Sequence, residues 1–204
     1  ESRPGQDAAE YSLDAMLSNI LASSAIENER LDAHSVRSSL AKRFGWTWHL
    51  PGTTTERSEG LAKMMMDVFN PGAGELTETL LFQWHCWLFP EPAPAFLRRG
   101  DWRGDATMRV VSGRIGKEKV HYQAPPREQL SAELTAFLQW YNQSRYRAAL
   151  DPLLRAALAH FWFITLHPFE DGNGRITRAL TDMALFQADH ESVRLYAVSE
   201  AILN

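Results

Sequence analysis

The sequence predicts a mainly α-helical chain carrying one β-hairpin. Two observations lead there. Apolar residues recur at spacings of three and four over most of the length, separated by Pro- and Gly-containing breaks. Only MRVVSGRIGKEKVHY (108–122) places β-branched residues on both sides of a glycine-containing turn. The 204 residues, 45% hydrophobic and 23% charged, suffice to bury a core of ordinary globular composition.

Residues 1–10 are polar and are expected to form a frayed, flexible N-terminus. From Tyr11 to about Phe44 the pattern is helical, with Leu13, Met16, Leu17, Ile20 and Leu21 on one stripe, so 11–44 forms a unit of N-terminal helices. Residues 45–204 form the second unit, and 45–58 (with PG and TTT) reads as a loop. GLAKMMMDVFN (60–70) reads as a helix with its methionines filling core. LTETLLFQWHCWLF (76–89) is another, with Thr77 able to cap it and Pro90, Pro92 and Pro94 ending it. After the hairpin, PPREQLSAELTAFLQWYN resumes helix behind Pro125 and Pro126. DPLLRAALAHFWFITL (151–166) is apolar almost all round and is expected to be a buried central helix. ITRALTDMALFQAD is helical again.

A net charge of −4 gives no reason to expect nucleic-acid contact. No run reaches the ~18–20 apolar residues of a membrane span, and the start lacks the pattern of a signal peptide. The single cysteine, Cys86, allows no internal disulfide, which fits a reducing compartment and a cytoplasmic location. It reads as a small core residue, and His85 and His160 as packed structural histidines.

The segment HPFEDGNGRITR (167–178) concentrates chemistry. Gly172 and Gly174 permit positive φ and close ligand approach. The loop runs into a helix start, where free N–H groups and the positive dipole end make an anion site. Arg175 and Arg178, three apart, project from one side of the first turn and suit more than one phosphate. Asp171 is a hard oxygen donor for Mg²⁺, and His167 can act as a general base near neutral pH. These parts fit phosphoryl or nucleotidyl transfer. The segment does not match the Walker pattern.

The twelve residues resemble the Fic signature, His-x-Phe-x-Asp/Glu-Gly-Asn-Gly-Arg-x-x-Arg, and meet all eight of its specified positions. WHCWLFP (84–90), MRVVSGRIGKEKVHYQAPP (108–126), FLQWYN (137–142) and AALAHFWFITLHPF (156–169) are similar to the bacterial Fic subgroup that often carries a DUF4172 domain upstream. That domain is expected to be absent from this chain, and further helix is expected after residue 204. The implied fold is a Fic-like helical bundle with 108–122 as its flap. The implied activity is transfer of AMP from ATP to a Ser, Thr or Tyr hydroxyl of a target protein, the chain itself included.

By the same resemblance His167, Asn173 and Arg175 belong to the catalytic set. Gly172, Asn173, Gly174, Arg175 and Arg178 bind the ATP phosphates, and Asp171 holds Mg²⁺. Phe169 packs inward to fix the loop. His121 and Tyr122 lie in the flap, where Tyr122 is a weaker candidate for approaching nucleotide or target. Ser23, Glu27 and Asn28, in SSAIENER (23–30), match the Fic inhibitory motif, which implies a brake in which Glu27 pairs with Arg178. Three alternatives stay open: removal of AMP by the same carboxylate, transfer of another phosphate-containing group, and a non-catalytic nucleotide- or partner-binding regulator. A homodimer is possible.

Overall fold

A computed structural model describes residues 4–46, 52–114, 117–188 and 198–203. It contains α1 (Pro4–Ile26), α2 (Ala33–Arg43), α3 (Glu56–Val68), α4 (Glu78–Leu88), β1 (Arg109–Ser112), β2 (Lys119–Gln123), α5 (Arg127–Ser144), α6 (Pro152–Leu166), α7 (Asn173–Ala188) and α8 (Val198–Leu203). The mainly α class with one hairpin holds. Among the described residues no helix is long and apolar enough to cross a membrane.

The first helix begins at Pro4, ahead of the Tyr11 start that the apolar pattern gave. Proline suits a first helical position because its missing N–H had no intrahelical partner to find. Leu13, Met16 and Ile20 are buried, while Leu17 and Leu21 pack at the rim of the same core. The helical stretch of 11–44 is interrupted between α1 and α2, and Asp32 caps α2 by accepting from His34 N–H. The expected loop 45–58 is shorter on its C-terminal side, because Thr55 and Ser58 form a capping box that starts α3 at Glu56. Residues 47–51 of that loop lie outside the described residues. Thr77 caps α4 as expected, accepting from Leu80 N–H at 3.2 Å. Asp151 caps α6 from Leu154 N–H at 3.0 Å, with Pro152 in the first turn.

The central helix is α7, not α6. Every residue of α7 from Arg175 to Ala184 is buried, and it packs against α6, α3, α4, α1 and α8. The α6 helix buries Ala156, Ala159, Phe163 and Leu166 against its neighbours α5 and α7, yet leaves Leu153, Leu154, Leu158 and Phe161 exposed. An all-apolar helix carries no record of which faces find partners, so its composition overstated its burial. Buried Arg155 ties the three helices together through Ser144 Oγ, the Tyr141 carbonyl and the Ala184 carbonyl at 2.8–3.0 Å.

The strands pair antiparallel, Arg109 with Gln123 and Ser112 with Lys119, with a register irregularity between Val110 and Val111. Every strand residue is exposed, including Val110, Val111 and Val120. The ribbon therefore stands off the core. Tyr122 donates its hydroxyl to the Thr165 carbonyl at 2.8 Å and so anchors β2 to the end of α6. His121 pairs across the ribbon with Ser112.

Candidate active site

The loop from α6 to α7 is held from several sides. His167 terminates α6 in the left-handed region, φ 48° and ψ 58°, which turns the chain sharply out of the helix. Buried Arg103 locks that turn. Its main-chain N–H donates to the Pro168 carbonyl and its Nε to the His167 carbonyl, each at 2.8 Å, and its Nη2 reaches the Pro125 carbonyl at the flap's exit. Phe169 is fully buried and stacks on the His85 ring with centroids 4.2 Å apart. Glu170 accepts from the main-chain N–H groups of Gly104 and Arg98 at 2.8 and 3.1 Å. Gly172 adopts φ 83°, and a Cβ there would press on Phe89 and Leu88.

Asn173 closes the loop on itself. Its Oδ1 accepts from Phe169 N–H at 3.0 Å and its Nδ2 donates to the Phe169 carbonyl at 2.8 Å. Both polar ends of this buried side chain are therefore spent on loop shape. The first main-chain bond at this end runs from Ile176 N–H to the Gly172 carbonyl. The N–H groups of Asn173, Gly174 and Arg175 precede that ladder and form the positive end of α7.

The opposite partner is the C-terminus of α1. Asn28, at φ 58°, stops that helix. Its N–H bonds to the Ala25 carbonyl, and Glu29 N–H bonds to the Ser24 carbonyl, each at 2.9 Å. This is a Schellman arrangement, and it requires a residue that tolerates the left-handed region. Glu27 is the last residue before the turn. Its Oε1 accepts from Arg178 Nη2 at 2.8 Å. Arg178 also donates from Nε to Ser23 Oγ and from Nη2 to the Ser23 carbonyl, both at 2.9 Å. The carboxylate lies directly over Gly174, where any Cβ would collide with it. An anion thus already sits at the positive end of α7.

Arg175 is buried over the Phe89 ring, 4.9 Å from its centroid, and donates to Glu29 Oε2 at 2.8 Å. Asp171, half exposed, lies 3.7 Å from Arg175 and accepts from Gly172 N–H at 2.6 Å. A cleft of about 590 Å³ opens beside these groups, lined by Glu27, Glu29, Arg57, Phe89, Asp171 and Arg175. Burial pushes His167 below the ordinary histidine value, as the nearby Arg103 charge also does, against the opposing pull of the Ile164 carbonyl. The imidazole is therefore neutral near pH 7 and able to take a proton. His160, near Arg178, is partly buried and bonded to Thr181 Oγ1 at 3.0 Å, in keeping with a structural role.

Among the described residues no three His, Cys, Asp or Glu side chains converge on one point. Asp171 is a lone carboxylate at the cleft. Mg²⁺ is commonly held by one or two carboxylates, with phosphates and water completing its shell. The donor set therefore fits Mg²⁺ together with a bound polyphosphate.

The fold brings Ser23 and Glu27 onto Arg178 and Gly174 at the start of α7, next to Arg175 and the loop residue Asp171, while Asn28 forms the turn after Glu27. Sequence reasoning missed Arg103, Glu170, Glu29 and Arg57. Glu170 occupies an unspecified position of the signature, and the others lie outside both motifs. Tyr122, considered as a nucleotide or target contact, has its hydroxyl engaged with α6.

The Fic/DOC family model matches residues 75–185, more than half of the sequence. The chain belongs to the Fic/DOC family. A second model, the domain of unknown function DUF4172, matches residues 2–46. This corrects the expectation that the DUF4172 domain is absent. The match covers the helices that carry Ser23 and Glu27 themselves, not a segment upstream of them.

The Fic fold is shared with a Fic domain containing signalling protein from Bacteroides thetaiotaomicron, at TM-score 0.66 and 22% identity over 90% of this chain and 66% of that one. It is also shared with Fic-1 from Caenorhabditis elegans, at TM-score 0.56 and 21% identity over 84% and 48%. Two curated relatives align over shorter segments. The protein adenylyltransferase Fic of Drosophila willistoni is 41% identical over 64 residues, 31% of this chain and 13% of that protein. The protein adenylyltransferase fic-1 of C. elegans is 32% identical over 89 residues, 42% and 17%. This Fic chain therefore aligns with only a small part of these curated relatives.

Proposed function

We propose that this Fic chain is a protein adenylyltransferase that moves AMP from ATP to a Ser, Thr or Tyr hydroxyl of a target protein and is held back by Glu27. One observation carries this reading: the Glu27 carboxylate lies over Gly174 and on Arg178, where a site built for polyphosphate would place a phosphate. The names of the aligned relatives agree with the transfer.

In the reaction the target hydroxyl oxygen attacks the α-phosphorus. His167 takes the hydroxyl proton as the new P–O bond forms. The bond from the α-phosphorus to the α,β-bridging oxygen breaks, and pyrophosphate leaves with its electron pair. The N–H groups opening α7 stabilise the charge on the phosphoryl oxygens, and Arg175 and Arg178 clamp the tail. Asp171 would hold Mg²⁺, which when bound offsets phosphate charge and aligns the leaving group. The exposed ribbon of β1 and β2 takes an extended target segment by strand addition, using main-chain hydrogen bonds. With Glu27 in place, Arg178 is unavailable and a like charge occupies the phosphate position.

The test is incubation of wild type, Glu27→Gly and Glu27→Gly/His167→Ala with labelled ATP, CTP, GTP and UTP plus Mg²⁺, read by intact mass. The expected result is an AMP adduct that rises strongly in Glu27→Gly and falls by ~10²–10⁴-fold when His167 is also removed. An unchanged mass in Glu27→Gly, or full transfer without His167, overturns the reading.

A further inference from the structure

The Fic signature and the inhibitory motif leave one part of the cleft unexplained. Glu29 bridges two guanidinium groups, Arg175 through Oε2 at 2.8 Å and Arg57 through Oε1. Arg57 comes from the first turn of α3, outside both motifs. The Nε atoms of Arg57 and Arg175 are both buried without a hydrogen-bond partner, although most buried donors have one. All three side chains line the cleft with Asp171.

The turn at Asn28 makes this bridge possible. On a continuous helix, residues 27 and 29 would point roughly 200° apart. The left-handed residue between them sends both acids toward α7, one to each arginine of its first turns. Glu29 lies in the connection between α1 and α2, so its side chain can leave without unpacking a helix. A carboxylate shared by two guanidinium forks is also the arrangement that a phosphate group adopts between arginines.

We propose that Glu29 is an internal stand-in for a ligand phosphate, and that Arg57 is a third guanidinium of the anion site, joining Arg175 once Glu29 swings away. The inference deepens the reading of this cleft as a nucleotide site and rests on it. Glu27 withholds Arg178, and Glu29 independently withholds Arg175 and Arg57. A polyphosphate carries more negative charge than the carboxylate it replaces, so the exchange favours ligand. Glu29 thereby sets affinity, whereas Glu27 decides whether transfer proceeds.

The test is calorimetric titration of the full chain with inorganic tripolyphosphate, comparing wild type, Glu29→Gln, Glu29→Ala and Glu29→Gln/Arg57→Gln, with thermal melting to establish folding. Either charge-removing variant alone suffices, and both are expected to bind about five- to tenfold more tightly than wild type. Adding Arg57→Gln is expected to abolish the gain. In the Glu27→Gly background, Glu29→Gln is expected to lower the KM for MgATP while kcat stays within about twofold. Unchanged or weaker tripolyphosphate binding by folded Glu29 variants overturns the proposal, because a carboxylate that merely orients Arg175 would loosen the site when lost. A gain that survives Arg57→Gln overturns the role of Arg57. If tripolyphosphate binding tightens as expected while Glu27→Gly attaches no AMP, the anion site stands and the transferase reading falls.

Discussion

Glu27 Oε1 lies 2.8 Å from Arg178 Nη2, joining residues 151 positions apart. The contact sets the C-terminus of α1 against the N-terminus of α7, so two opposite helix-end charges meet across it. Glu27→Gln keeps the shape but removes the charge. A charge-assisted hydrogen bond contributes about 1.5–3 kcal/mol, so Glu27→Gln is expected to relieve the proposed brake by about 10- to 100-fold, short of Glu27→Gly. Initial rates of label incorporation from ATP check the order. Equal rates for Glu27→Gln and wild type would show that the carboxylate charge is not what blocks the site.

Asn28 owes its place to φ 58°. Glycine reaches that region without strain, and a β-branched side chain does not. Asn28→Gly is expected to leave stability within about 0.5 kcal/mol of wild type. Asn28→Val is expected to cost about 1–2 kcal/mol and to raise basal transfer by misplacing Glu27. Urea unfolding together with the labelling assay measures both. A Val variant as stable and as inactive as wild type would remove the link between the helix stop and the brake.

The Fic signature implies a catalytic and phosphate-binding role for Asn173, and its side chain spans the Phe169 main chain, with bonds of 3.0 and 2.8 Å. Asn173→Ala strands a buried N–H and a buried carbonyl, a cost of about 1–3 kcal/mol for each. In the Glu27→Gly background this variant is expected to lose both stability and transfer, by more than about tenfold in rate. Loss of transfer with an unaltered melting temperature would instead indicate direct contact with the substrate.

His85 is fully buried, accepts from Gly100 N–H at 3.0 Å and stacks on Phe169. Burial pushes its pKa from 6.5 down to about 4. The folded state therefore prefers neutral imidazole, while the unfolded chain protonates near 6.5. The contribution to stability is complete above that value and is lost as pH falls toward 4, amounting to roughly 3 kcal/mol over the window. His85→Gln is expected to flatten the decline between pH 6.5 and 4 relative to wild type, read by thermal melting across pH. Parallel pH profiles would show that His85 does not carry the acid sensitivity.

Local chemistry made much of this legible. Thr77 announced a helix start because a cap needs only its own next few residues. The hairpin announced itself by β-branched residues around Gly113, and the loop by glycines and arginines within twelve positions. Less legible were surroundings. The exposed Leu154 and Phe161 look like core in sequence, because apolarity does not say which face of α6 lacks a neighbour. Arg103 carries no local signal of its role, because its acceptors lie at Pro125 and His167.

The sequence by itself determined the helical class, the hairpin, the composition of the loop and the presence of an acid four residues after Ser23. Those features depend on spacings within one or two turns, which the chain carries wherever it goes. The tertiary structure alone decided that α7 is the centre, that Asn173 turns inward, and that Glu29 finds Arg175 and Arg57. These contacts depend on how α1 and α3 pack around the start of α7. No local pattern encodes that geometry, because it is set by the sum of burial over the whole core.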